Sequence, residues 1–135
     1  MSTSFLRIEH VWHDDDMLEV KVTGSTGRFA GVTDVYTTPR AIRDLAKGIE
    51  RFPRSASATF TFNAGGEGEG RSVALAFSRR GSSGHVAVLF TLQNGTDRVQ
   101  SELIVEPAAI DRFHAALLAL SQRASGSAEL EGVNA

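Results

Sequence analysis

The sequence contains no cysteine. That excludes a disulfide-stapled fold and any thiolate metal centre. Lysine is nearly as scarce: Lys21 and Lys47 are the only two among 14 basic residues, the rest being Arg, whose planar fork pairs with carboxylates better than an ammonium does. No apolar run approaches the ~18 residues that a membrane-spanning helix needs. The first residues have neither the basic start nor the apolar stretch of a secretory signal. Strong charge is also missing. Fourteen basic against 16 acidic residues leave a net charge of −2, so no long-range field attracts nucleic acid or an anionic membrane. These absences lead us to expect a cytoplasmic protein that binds neither nucleic acid nor membrane. No metal or cofactor motif is present, and neither a Gly-x-Ser-x-Gly elbow nor a His-Glu-x-x-His helix occurs, which argues against an enzyme.

What is present is enough for one folded domain. At 135 residues, 41% hydrophobic and 22% charged, such a chain buries roughly two-thirds of its unfolded surface. Residues 35–53 organise it. A strand reaching Tyr36 and Thr37 runs into Thr38-Pro39 and then into a helix. Thr38 is suited to cap the first turn, and Pro39 to open it. Ile42, Leu45, Ala46 and Ile49 form a helical apolar stripe. Gly48 costs that helix about 1 kcal/mol relative to Ala, and Pro53 ends it. The pattern returns over residues 103–120. Placing Pro39 on Pro107 superposes Ile42 on Ile110, Leu45 on Phe113, Ile49 on Leu117 and Phe52 on Leu120.

The remainder alternates as half-buried strands do. Leu6, Ile8 and Trp12 share one face of the first strand. Leu18, Val20 and Val22 share that of the second. Phe29, Ala30 and Val32 of the third cannot share a face, so Gly31 is expected to mark a bulge. Four strands follow the first helix, with Phe60 and Phe62, then Val73, Leu75 and Phe77, then Val86, Val88, Phe90 and Leu92 inward, and a last strand over residues 99–105. Asn94-Gly95 is a tight-hairpin signal. The expected architecture is α+β in the order βββαββββα. An antiparallel sheet of about six or seven strands would carry two helices on one face, with water on the other. Residues 1–120 would form the domain and residues 121–135 a flexible polar tail.

Four features invite a functional reading. Asp14, Asp15 and Asp16, near His10 and His13, offer oxygen ligands but lack the calcium-loop spacing, so they read as a charged turn. The loop Gly65-Gly66-Glu67-Gly68-Glu69-Gly70 joins two strands and carries two carboxylates, which disfavours phosphate. Arg40, Arg43, Lys47 and Arg51 read as a solvated helix face, and His114 as solvent-facing. Trp12 shares the phase of Leu6 and Ile8, which favours the core; exposed, it would anchor an interface.

Three stretches, Gly27-Arg28-Phe29-Ala30-Gly31, Gly84-His85-Val86-Ala87-Val88 and Ser101-Glu102-Leu103-Ile104-Val105-Glu106, together resemble the WapI-type immunity proteins and related small bacterial domains of unknown function. The resemblance implies a non-enzymatic protein that binds and neutralises a cognate toxin domain. A binder works through exposed groups, and the candidates here are Trp12, Asp14, Asp15, Asp16, Glu67 and Glu69. The alternatives are a small-molecule binding module, or a small structural domain that forms a homodimer through a strand edge or Trp12.

Overall fold

The computed structural model describes residues 3–66, 70–82 and 84–133. Three strands come first: β1 (Ser4–His13), β2 (Leu18–Thr26) and β3 (Ala30–Thr37). They form an antiparallel meander. Helix α1 (Pro39–Gly48) follows as its residues dictate. The Thr38 hydroxyl accepts from the Ala41 amide at 3.0 Å, Pro39 sits in the first turn, and Ile42, Leu45 and Ala46 are buried. Arg40, Arg43 and Lys47 face water, as expected; α1 stops at Gly48 and not at Pro53, so the exposed Arg51 lies past its end. A second meander of four strands comes next: β4 (Thr59–Gly66), β5 (Arg71–Arg80), β6 (His85–Asn94) and β7 (Asp97–Val105). Helix α2 (Pro107–Arg123) buries Ile110, Phe113, Leu117 and Leu120, and β8 (Ser127–Glu131) is the last described strand.

The fold is therefore α+β with two helices, but the strands make two antiparallel sheets of four, ordered β3-β2-β1-β8 and β4-β5-β6-β7. This corrects the expectation of one sheet of six or seven strands. Alternation reveals which face of each strand is apolar; it does not reveal which strands pair across a helical crossover. Here α1 carries the chain from one sheet to the other. The sheets pack face to face, β3 against β5 and β6, and β2 against β7. One core cluster takes side chains from both sheets and both helices. Gly24 and Gly31 make the close approach feasible. A Cβ at Gly24 would lie 2.6 Å from the buried Phe90 ring, and one at Gly31 would strike Val99.

The expected tail also departs from its prediction. Residues 121–123 complete α2, and β8 pairs with β1, burying Ala128 and Leu130. Just beyond β8, the Val133 amide donates to the Ile104 carbonyl at 2.8 Å, which ties the edge of the first sheet to β7 of the second. With only two apolar positions, β8 is too short to show a period. The anticipated bulge at Gly31 is absent, because β2 and β3 pair without a register shift. A shift occurs instead in β1, between His10 and Trp12. His114 is not solvent-facing either: its Nδ1–H donates to the Ala46 carbonyl at 2.7 Å and joins the two helices, which lie side by side.

Candidate functional site

The register shift in β1 decides where Trp12 points. An extra residue on one strand changes the phase of everything after it. Leu6 and Ile8 remain in the core, whereas Trp12 is 47% exposed. It sits opposite Glu19, which in turn sits opposite Tyr36 on β3. The Trp12 and Tyr36 rings meet edge to face above β2, with centroids 6.5 Å apart and planes at 88°. Their neighbours Val11 and Met17 are also exposed. Trp12 therefore lies outside the core that its phase with Leu6 and Ile8 predicts, because the strand does not keep one phase to its end.

Below this aromatic pair the outward face of the first sheet is mostly acidic. The next row across the strands is Glu9, Lys21 and Asp34; the one after joins Glu129, Arg7, Thr23 and Val32. Arg7 is already engaged. Its Nε and Nη2 both lie 2.8 Å from Glu129 Oε1, and its guanidinium stacks 4.6 Å above the Phe5 ring. Together with the β1–β2 turn, this face carries Glu9, Asp14, Asp15, Asp16, Glu19, Asp34, Glu129 and Glu131, half of the chain's 16 acidic residues. Of its 14 basic residues the face holds only Arg7 and Lys21. A near-neutral chain therefore presents one acidic side.

The aspartates divide into two roles. Asp14 Oδ1 accepts from the amides of Asp16 at 2.9 Å and Met17 at 2.7 Å, closing the turn. These two bonds hold its carboxyl below its ordinary value. Asp14 is thus bound to its own backbone, while Asp15 and Asp16 extend into water beside Trp12. Next to them, His10 Nε2 and His13 Nδ1 lie 2.9 Å apart and share one hydrogen bond. Among the described residues no group of three or more His, Asp or Glu side chains is placed to hold a metal ion. Glu67 and Glu69 lie outside the described residues.

Tyr36 and Glu19 escaped sequence reasoning. The signal for Tyr36 was present in the faulty alternation of β3. Thr33, Val35 and Thr37 are its buried positions, which leaves Val32, Asp34 and Tyr36 outward. Two threonines on the inner face hid that phase. The outward face of the second sheet differs in character. Its central rows are Thr61, Ala76, Leu89 and Glu102, and Asn63, Ala74, Thr91 and Gln100. Charge is sparse there; an Arg80–Glu102 ion pair occupies one corner. In comparisons with known proteins, no family model, no curated protein and no solved structure matches the chain. No described helix is long and apolar enough to cross a membrane.

Proposed function

We propose that this protein is a non-catalytic binding module that captures a basic protein surface on the outer face of β1–β3, in the manner of an immunity protein neutralising a toxin domain. The observation that supports the reading is the exposed Trp12–Tyr36 pair flanking Glu19, at the end of the sheet where the β1–β2 turn exposes Asp15 and Asp16. Tryptophan and tyrosine are the side chains most enriched at interface hot spots, because they bury much apolar area and retain a polar atom. A surrounding acidic field steers a basic partner and selects against acidic ones. A flat sheet face suits a protein surface better than it suits a small substrate.

The test is co-expression with candidate toxin domains that carry a basic surface. The expected result is a stable complex and restored growth, with both lost in the Trp12→Ala/Tyr36→Ala double variant. Each substitution should weaken binding by roughly 2 kcal/mol or more, about thirtyfold in Kd. Because both rings are exposed, the double variant should melt close to the parent. Growth rescue by the double variant at parental level would reject this docking face.

A further inference from the structure

A second site is set apart from the acidic face. Tyr36 precedes α1 and belongs to that face, whereas the second site lies beyond the C-terminal end of the same helix. We propose that the cleft between the end of α1, the far end of β5 and the start of α2 binds a small dianionic phosphate-class ligand. The cleft has a volume of about 550 Å³ and is lined by Arg51, Arg54 and Arg79 with, among the described residues, a single carboxylate, Asp111. That volume suits a small molecule. Three guanidinium groups against one carboxylate leave two positive charges, the complement of a dianion.

The three arginines differ in how they are held. Arg79 follows Val73, Leu75 and Phe77 on the inner face of β5, where the pattern calls for an apolar residue. Its Nε is sealed from water and has no hydrogen-bond partner among the described residues. A buried guanidinium N–H without an acceptor is costly, and native structures seldom leave one so. That atom is closed to the cleft as well as to water, so Arg79 offers a ligand its charge and the other N–H groups of its guanidinium. Arg54 is fixed by the open end of α1: its Nε donates to the Glu50 carbonyl at 2.9 Å and its Nη2 to that of Lys47 at 3.4 Å. Those two bonds orient the fork and leave further donors of the same group for a ligand. Arg51 stands at φ 54°, in the left-handed region that costs an L residue energy.

The rest of the wall fits the same class. Pro107 opens α2 at the rim, and the Glu106 side chain makes no cap bond. The positive end of the helix dipole thus adds to the arginine field. Phe52, Pro53 and Ala56 give an apolar side for the body of an organic phosphate. A long nucleic acid is disfavoured by the net charge of −2 and by the acidic outer face of β1–β3. The proposal does not depend on the protein-binding reading.

The experiment is a titration of the full chain with inorganic phosphate at constant ionic strength, read by NMR on the arginine Nε–H resonances. Glycerol 3-phosphate forms a second arm. The expected result is a saturable shift of the Arg79 Nε–H signal, with a Kd on the order of 1 mM or tighter. Arg51→Gln should weaken it about tenfold, and Asp111→Asn should tighten it. Tighter binding of glycerol 3-phosphate assigns an organic phosphomonoester; equal binding assigns the free oxyanion. Arg51 is exposed, so its variant keeps the test valid if Arg79→Gln fails to fold. A linear response matched by chloride, no shift at ~50 mM phosphate, or unchanged binding by Arg51→Gln would overturn the proposal.

Discussion

Replacing Gly24 by Ala tests the contact that makes this a two-sheet protein. In an isolated strand the change should help, since glycine costs about 0.5–1 kcal/mol relative to alanine in chain entropy. The structure reverses that expectation. The new Cβ would lie 2.6, 2.8 and 3.0 Å from Cε1, Cδ1 and Cζ of Phe90. Phe90 is fully buried on the opposing sheet, so its ring has little room to retreat. Overpacking of this kind costs about 1–3 kcal/mol. Subtracting the backbone gain leaves a net loss of roughly 0–2.5 kcal/mol, centred near 1 kcal/mol. For a chain of this size that lowers Tm by about 3–5 °C per kcal/mol. The informative comparison is the same substitution in a Phe90→Leu background. The ring atoms that clash are then absent, and Gly24→Ala should be neutral or slightly stabilising. Urea unfolding of the four proteins gives the coupling energy directly, expected at about 1 kcal/mol or more. Equal effects in both backgrounds would refute the face-to-face packing of β2 on the second sheet.

Other substitutions address other parts of the fold. Thr38→Ala removes the bond accepted from the Ala41 amide and should cost about 1 kcal/mol in urea unfolding. Leu130→Ala empties a fully buried position on β8 and should cost about 2–5 kcal/mol; a negligible change would show that β8 does not dock on β1. Asp14 should titrate below its ordinary 3.8 by carboxyl NMR, because its charged form accepts the Asp16 and Met17 amides. The native state then binds fewer protons than the unfolded one. This contribution to stability is present above the ordinary carboxylate value and is lost as pH falls through the depressed one. An unshifted titration would mean that the turn is not closed by Asp14.

Local chemistry was legible in the chain. Thr38-Pro39 marked the start of α1, the Ile42–Leu45–Ile49 and Ile110–Phe113–Leu117 stripes marked the helices, and Asn94-Gly95 marked the β6–β7 hairpin. All depend on residues within one or two turns of each other. The candidate docking face was half legible: Trp12 and the aspartates stood out, but Tyr36 and Glu19 did not. Trp12 becomes their neighbour only because β1 shifts register after His10 and β2 separates it from β3 by one strand. Arg79 was not singled out in the sequence, because Arg51 and Arg54, with which it lines one cleft, lie about 25 residues away in the chain.

The sequence by itself determined the two helices and the first seven strands, and for most of them which face is apolar, because those periods are set by backbone geometry alone. Tertiary structure decided the rest. It divided eight strands between two sheets, recruited residues 127–131 as the partner of β1, and turned Trp12 outward. Each of these depends on contacts between residues far apart in the chain, where the choice among similar apolar faces is made by shape and close approach rather than by pattern.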